Sequence, residues 1–346
     1  MNMKLLVPKK VIADSDTFSS GKDLLDRENF ATDLTDVLTS TSEGLVVGLD
    51  AKWGEGKTTF AKLWRNKLKA DETKCIYFDA FENDYMSDAF YALTSLIHEI
   101  VKKEENRHLF NQLKENLTSL SKVVLKAGLK SGAKVLTENI AVKAGATFVE
   151  ELDNATTKYI DERFESSESD KKVVENFKVF LSSLHEKLET DKPIVFIIDE
   201  LDRCRPNYAM EILETIKHFL SVPNISWILV MNRVQLEQSV SHLYGLDKES
   251  CHSYLQKFVQ LWVTLPQSTG GIANKVTYFR HCLNDMGLTH HYEDDSLEIH
   301  LINHYDLSLR EIEQVLTNFA ILENRFIGGK GFVGNTFPLY LAIIRV

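Results

Sequence analysis

The sequence lacks several features that would place it in well-known classes of protein. It has only four cysteines in 346 residues and no C-x-x-C pair that would indicate a zinc or redox site. No stretch reaches the roughly 18 uncharged apolar residues of a membrane span, and the apolar run at the amino terminus is too short for a signal peptide. The sequence therefore predicts a cytoplasmic protein with buried, reduced thiols and no transmembrane span.

Positive charge is also scarce. The 40 lysines and arginines are outnumbered by 50 aspartates and glutamates, which gives a formal net charge of -10 at pH 7. This balance argues against a surface that holds nucleic acid by bulk electrostatics, so any contact with nucleic acid would be local or made by a partner. The hydrophobic content of 44% supplies core for about two domains at this length.

Five apolar segments predict the strands of an α/β sheet. They span residues 44–50, 75–81, 193–199, 226–232 and 258–266. Apolar residues recur at helical spacing between them. Strands that are apolar on both faces and alternate with helices are typical of a parallel sheet covered by helices.

The second and third predicted strands are separated by more than 100 residues, far more than a crossover needs. We predict that residues 108–190 are almost wholly helical, with an exposed acidic joint at 165–172. Lysines at positions 114, 122, 126, 130 and 134 are spaced four or eight apart. This basic stripe is either a solvated helix face or an interface for acidic lipid or nucleic acid.

The stretch AKWGEGKTT lies between the first predicted strand and a predicted helix, as a phosphate-binding loop does. It begins at Ala51, where the full motif has glycine. Gly54 and Gly56 allow phosphate to approach the backbone N–H groups, and Lys57 is placed to reach the β and γ phosphates of a nucleotide. Thr58 offers its hydroxyl to Mg²⁺.

A second element is the apolar run VFII, which leads into Asp199 and Glu200. This pattern puts one carboxylate on the Mg²⁺ ion and a neighbouring one where it can orient or deprotonate an attacking water. We assign Asp199 to the metal and Glu200 to the water. The alternative, a solvated strand end, leaves the phosphate loop upstream unexplained.

Three further polar residues each have two interpretations. Asn232, at the end of the fourth strand, either hydrogen-bonds the γ-phosphate or the attacking water, or caps a helix. Arg310, on a late helix, either reaches the phosphates or forms an ion pair with Asp306 or Glu313. Arg203 is either a finger that enters the site of a neighbouring subunit or a salt-bridge partner.

Four histidines offer a possible metal site. His300 and His304 stand at i, i+4, a spacing that can hold zinc, and His290 and His291 are near in sequence. Because no fixed third ligand accompanies them, we predict no zinc site there.

The motifs occur in the order found in the KAP family of P-loop NTPases, which the chain resembles from about residue 20 to residue 325. The segments that carry the resemblance are WGEGKTTF, YFDAFENDY, VFIIDELDRCRP, SYLQKFVQLWVTLP and LSLREIEQVLTNF. Trp53 and the string DELDRC are the most specific features. The family's second strand usually ends Asn-Ala-Trp, whereas this chain has Asp79-Ala80-Phe81, and the family often has an acid at the position of Asn232.

The resemblance implies a site for ATP and Mg²⁺. The loop residues that would hold the nucleotide are Trp53, Gly54, Glu55, Gly56, Lys57, Thr58 and Thr59. Asp199 would bind the metal, Glu200 would activate water, and residues 23–31 would contact the base. The sequence has no N-K-x-D guanine motif, and by itself it does not separate ATP from GTP.

The fold class predicted from the resemblance is α/β, with a five-stranded parallel P-loop NTPase sheet of the additional-strand type. We predict that residues 1–84 and 191–268 form the two halves of this core. Residues 85–190 would form a helical insertion, and residues 269–346 a small α-helical C-terminal subdomain. Family members commonly insert transmembrane helices at the same place, but lysines interrupt every apolar run here. This favours a helical arm for self-assembly or partner docking.

The predicted function is a Mg²⁺-dependent ATPase that forms a homo-oligomer and couples its nucleotide state to assembly or to a partner effector protein. Bacterial relatives are associated with exclusion of phage and plasmids, and this role is implied by analogy alone. The alternative is a nucleotide-gated scaffold or switch, which also needs Lys57, Thr58 and Asp199 but not fast water activation by Glu200. A P-loop kinase fits less well, because the acidic pair suits water better than an acceptor hydroxyl.

Overall fold

The computed structural model describes most of the chain outside the predicted insertion. The residues described are 4–85, 97, 101, 107–128, 166–188, 190–217, 219, 222–267, 272–287, 302 and 304–327. The chain divides into two compact units. Unit 1 comprises Met1–Leu34, Asp50–Lys67 and Thr264–Val346, and unit 2 comprises Thr35–Leu49 and Leu68–Val263. The domain boundaries expected from the sequence stay a prediction.

A five-stranded parallel sheet forms the centre of the fold, as predicted. The strands are β1 (Leu45–Asp50), β2 (Cys75–Asp79), β3 (Ile194–Asp199), β4 (Ile225–Met231) and β5 (Leu261–Thr264), in the order β2-β3-β4-β1-β5. Because the strands are parallel, all five end at one edge of the sheet. Strand β2 ends two residues earlier than predicted, since the N–H of Ala80 bonds the carbonyl of Asp199 and the chain then turns.

The register of the sheet aligns the two acidic strand ends. Asp79 on β2 is the partner of Asp199 on β3. Every residue of β3 and β4 is buried, which explains why their sequences are apolar except for Asp199 and Ser226. Phe196 and Trp227 stack across these two strands with ring centroids 4.5 Å apart.

The described part of the chain contains ten helices. They are α1 (Glu28–Thr39), α2 (Lys57–Ala70), α3 (Arg107–Gly128), α4 (Ser166–Ser182), α5 (Leu184–Lys187), α6 (Pro206–Lys217), α7 (Arg233–Tyr244), α8 (Lys248–Leu255), α9 (Ile272–Met286) and α10 (Leu309–Ile327). Short 3-10 turns span Phe18–Ser20 and Leu201–Arg203.

Helices α3 and α4 belong to the predicted insertion and supply part of the core of unit 2. Leu109, Leu113 and Phe177 are buried in the same cluster as the sheet residues. The prediction of a joint at 165–172 is wrong, because α4 already begins at Ser166. Acidic residues are favourable at a helix amino end, so an acidic run does not by itself indicate a break. Of the basic stripe, positions 130 and 134 lie outside the described residues.

Unit 1 has its own apolar packing. Phe60 on α2 contacts the rings of Phe18, Phe30 and Trp64, with centroid separations of 6.0, 5.5 and 5.8 Å. Helices α9 and α10 bury a second cluster that includes Phe279, Cys282, Leu283, Ile312, Leu316 and Phe319. All four cysteines are free, and only Cys75 is not fully buried. Among the described helices, none combines the length and hydropathy that crossing a bilayer requires.

Candidate functional site

The loop between β1 and α2 contains two positions with a backbone conformation that only glycine adopts without strain. Gly54 has φ +81° and Gly56 has φ +79°, both in the left-handed region. Helix α2 then begins at Lys57, and its first turn closes with a bond of 3.0 Å from the N–H of Phe60 to the carbonyl of Gly56. The loop therefore leads into a helix amino terminus, whose N–H groups and dipole favour an anion.

Lys57 folds back over this loop. Its side chain is buried, and its Nζ donates to the carbonyls of Ala51 at 2.6 Å and Lys52 at 3.0 Å. The carboxylate of Glu55 accepts from the N–H of Lys52 at 3.1 Å. These bonds hold the two ends of the loop together. Ala51 is buried at the strand exit, outside the glycine cradle, so its methyl group does not obstruct the loop.

Arg27 is a loop contact that sequence reasoning missed as an individual residue. It is buried, with 3% of its surface exposed, and its guanidinium donates to the carbonyls of Glu55 at 2.8 Å, Pro266 at 2.8 Å and Gln267 at 3.2 Å. Desolvation lowers the pKa of Arg27 to about 10, while the charges of Asp23 and Glu55 act in the opposite direction. In the sequence Arg27 is an ordinary arginine before an amphipathic helix, and nothing there indicates burial.

The start of helix α10 packs on the loop at Gly54. A Cβ at Gly54 would lie 2.7 Å from Cβ of Arg310 and 3.2 Å from Oγ of Ser308. Ser308 caps α10 reciprocally, since its Oγ accepts from the N–H of Glu311 at 3.3 Å and its own N–H donates to Glu311 at 2.7 Å. Gly54 is thus required both for its backbone conformation and for the close approach of a helix.

Arg310 is exposed at this helix start. The two acids expected as its ion-pair partners have other contacts: Asp306 pairs with Lys275 at 2.5 Å, and Glu313 accepts a short bond from the hydroxyl of Tyr278. A contact of Arg310 with phosphate remains a prediction.

A cavity of about 360 Å³ lies beside the loop within unit 1. This size is within the range of small-molecule sites. Its lining includes Leu25, Arg27, Trp53, Gln267 and Tyr305. Trp53 is 41% exposed. The segment expected to contact the base contributes the first two of these residues.

The acidic pair lies at the end of β3 in unit 2. Asp199 is fully buried, and its Oδ2 accepts from the hydroxyl of Tyr77 at 2.7 Å, while its Oδ1 accepts from the N–H of Glu200 at 2.8 Å. Burial, together with the negative charge of Asp199, raises the pKa of Tyr77. The phenol therefore stays protonated and remains a donor to the carboxylate.

Glu200 adopts a left-handed backbone conformation, with φ +61°. This conformation is uncommon for residues other than glycine, asparagine and aspartate, and it concentrates at functional sites. The carboxylate of Glu200 forms a short ion pair with the guanidinium of Arg203. The salt-bridge interpretation of Arg203 thus describes this structure, whereas its role as a finger stays a prediction.

Asn232 is the amino-terminal cap of helix α7. Its side-chain oxygen accepts from the N–H of Gln235 at 3.4 Å, which is a weak bond, and the residue is largely buried. Asp79 has a comparable structural contact, since its carboxylate accepts from the N–H of Glu82 at 2.9 Å in the turn after β2. These bonds supply a structural reason for both residues, and the part of Asn232 in catalysis stays a prediction.

The predicted ligands are chemically suited to Mg²⁺ that arrives with a nucleotide. Mg²⁺ is usually held by one or two protein ligands, substrate phosphates and waters, and the carboxylate of Asp199 and the hydroxyl of Thr58 are each an oxygen donor of the kind that it prefers. The described residues include no cluster of three or more His, Cys, Asp or Glu side chains that could hold a metal alone. Of the four histidines considered above, only His304 is described.

The family model described as the KAP family P-loop domain matches residues 27–326 of the chain. The chain belongs to the KAP family. This membership accounts for the order of the loop, the acidic strand and the late helix, and it implies nucleotide binding by the KAP domain described here.

Two curated proteins resemble this KAP chain. The uncharacterized protein MJ0182 of Methanocaldococcus jannaschii is 28% identical over 176 residues, which cover 45% of this chain and 89% of that protein. The phage T7 exclusion protein of Escherichia coli is 22% identical over 229 residues, which cover 64% of this chain but only 30% of that protein.

One solved structure shows a weak similarity to the KAP chain. The ORC2 protein of Aeropyrum pernix matches 92% of this chain and 67% of that chain, at 14% identity and a TM-score of 0.38. A score of this size supports no argument about the site.

Proposed function

We propose that the protein is a Mg²⁺-dependent nucleoside triphosphatase that hydrolyses ATP. The observation that carries this proposal is the loop with left-handed Gly54 and Gly56, which leads into the amino terminus of α2 at Lys57. Such a loop presents successive N–H groups to an anion, and a positive helix end adds to the attraction.

In this proposal the loop residues bind and the acidic pair acts on water. Lys57 exchanges its bonds to the carbonyls of Ala51 and Lys52 for the β and γ phosphates. Glu200 orients the attacking water and takes its proton. Thr58 and Asp199 hold Mg²⁺, which supplies charge stabilisation for the transferring phosphoryl group.

We place the nucleoside in the cavity beside the loop. The exposed indole of Trp53 and the ring of Tyr305 line this cavity, and aromatic faces suit a planar base. Arg310, at the start of α10, is next to the loop and provides a fork for phosphate oxygens.

The decisive experiment is steady-state ATP hydrolysis by the purified chain, with and without DNA or RNA. We expect Lys57→Ala to lose nucleotide binding, and Glu200→Gln to bind ATP but hydrolyse it at least about 100-fold more slowly. Lys69→Ala is the matched control, because Lys69 is an exposed lysine on the same helix. If Lys57→Ala leaves the nucleotide affinity unchanged, the proposal is wrong.

The ion pair between Glu200 and Arg203 favours a second candidate function, a nucleotide-gated switch with slow turnover. A carboxylate that is bonded to a guanidinium is less available to an attacking water than a free one. If this pair restrains hydrolysis, Arg203→Ala should raise the rate. If Arg203 is instead a finger that acts on a neighbouring subunit, the same variant should lower the rate, and mixing it with Glu200→Gln protein should restore activity.

We further propose that the ATP cycle drives homo-oligomer assembly and a partner effector in bacterial defence. The similarity to the phage T7 exclusion protein supports this role. Sedimentation velocity with and without ATP tests assembly. Plaque counts on bacteria that carry the wild-type chain or Lys57→Ala test defence, and equal counts on both strains would reject it.

A further inference from the structure

The guanidinium of Arg27 is bonded to main chain only. Its Nε, NH1 and NH2 groups each donate to one backbone carbonyl, and the three carbonyls belong to Glu55, Pro266 and Gln267. A guanidinium buried in this way gives up solvation without gaining a direct carboxylate partner.

The bond of 2.8 Å from NH1 to Glu55 fixes the orientation of the peptide that joins Glu55 to Gly56. Within a trans peptide the C=O and the N–H point in opposite directions. With the Glu55 carbonyl turned toward Arg27, the N–H of Gly56 points to the opposite side. Phosphate cradles are built from such N–H groups.

The carboxylate of Glu55 also accepts from the N–H of Lys52 and from the amide of Gln267, but these side-chain bonds do not fix the orientation of the peptide group itself. The residue on its carboxyl side, Gly56, accepts φ of either sign, and Gly54 precedes Glu55. A flip of the peptide would turn a carbonyl oxygen, rather than an N–H, toward a bound phosphate. NH1 lies 3.4 Å from the position of a Cβ on Gly56, so the guanidinium is directly beneath the peptide that it holds.

We propose that Arg27 is a positioning residue that keeps the N–H of Gly56 aimed at the nucleotide phosphates. Through Pro266 and Gln267 the same side chain joins the phosphate loop to the segment that follows β5. The inference rests on the proposed nucleotide site but assigns a function to a residue outside the loop motif.

The test measures binding of ATP and of pyrophosphate by calorimetry in EDTA, which removes any contribution of Mg²⁺. We expect Arg27→Met to weaken the binding of both ligands by the same factor, about 10- to 100-fold, because the N–H of Gly56 is no longer held toward the phosphates. Arg27→Lys should recover little, since an ammonium keeps the charge but is a compact group that cannot span the three carbonyls reached by the planar guanidinium fork.

Arg65→Met is the matched control. Arg65 is also a part-buried arginine of unit 1, but its guanidinium bonds the side chains of Asn66 and Asp14. We expect this variant to bind both ligands as the wild type does. If Arg27→Met does not fold, as judged by a missing cooperative melting transition, Arg27→Lys and Arg27→Gln carry the test.

Each contrary result has a distinct meaning. Wild-type protein that binds neither ligand would reject the proposed function itself. Wild-type protein that binds, together with folded Arg27 variants that bind equally well, would reject the positioning role alone. Full recovery by Arg27→Lys would show that charge suffices, and loss of ATP binding with intact pyrophosphate binding would assign Arg27 to the base instead.

Discussion

Tyr77 and Asp199, on neighbouring strands of the sheet, are joined by a hydrogen bond of 2.7 Å. The bond occupies one oxygen of a carboxylate that is fully buried. The N–H of Glu200 bonds the other oxygen, so the orientation of the carboxylate is fixed from two sides. A carboxylate held in this way is preorganised for a metal ligand's role.

Tyr77→Phe should lower the free energy of unfolding by about 1–3 kcal/mol, because a buried carboxylate loses one of its donors. Urea titration measures this change. The control is Tyr254→Phe, in which a tyrosine hydroxyl 3.2 Å from the exposed carboxylate of Glu214 is removed. That loss should cost less than about 1 kcal/mol. Equal decreases in the free energy of unfolding for the two variants would show that the buried bond of Tyr77 contributes no more than an exposed one.

Gly54→Ala should destabilise the protein more than the same change at Gly21. Both glycines have positive φ, but a Cβ at Gly21 would meet nothing within 4 Å, whereas at Gly54 it would lie 2.7 Å from Cβ of Arg310. We expect about 1–2 kcal/mol of backbone strain at each position and about 1–3 kcal/mol more at Gly54 from the overlap. The melting temperatures of the two variants measure these losses of stability. Equal melting temperatures would show that α10 shifts away from residue 54 without cost.

The left-handed backbone conformation of Glu200 lowers stability at a position where the proposed function needs a carboxylate. Glu200→Gly and Glu200→Gln both remove the carboxylate, but only glycine relieves the left-handed strain. We expect the glycine variant to be about 1 kcal/mol more stable than the glutamine variant. Glu72 has φ +59° on an exposed turn, so the same pair of substitutions there calibrates the effect of strain alone. The opposite order of stability at Glu200, with the expected order at Glu72, would show that contacts of the longer side chain outweigh the relief of strain.

Substitutions of Asn232 can separate its two interpretations, a helix cap and a contact with phosphate or water. Asn232→Ala should cost about 0.5–2 kcal/mol of stability, because helix α7 loses its cap, and Asn232→Ser should restore most of this. Asp247→Ala, which removes the cap of α8, is the control for the loss of a cap alone. If Asn232 also positions phosphate or water, the serine variant will be stable and yet hydrolyse ATP slowly. Normal hydrolysis by the serine variant would leave only the cap.

The fold followed from the sequence because its central strands are almost wholly buried. Predominantly apolar segments predicted all five strands, and β3 and β4 were found within one residue of their expected bounds. The ends of β2 and β5 were less well placed, since these edge strands end where turns and hydrogen bonds to neighbours, rather than apolar residues, set the limit.

The sequence alone determined the parts of the candidate site that are contiguous. The glycines and lysine of the loop and the two acids after VFII are local patterns, because a tight turn before a helix and a buried strand end impose their residue types over a few positions. Only the tertiary structure decided the contacts that support them. The bonds of Arg27 to Pro266 and of Tyr77 to Asp199 join residues that are 239 and 122 positions apart, and the packing of Arg310 on Gly54 spans a comparable distance along the chain. Such pairs have no periodicity or spacing of their own, since burial and hydrogen bonding between distant segments arise only when the chain has folded.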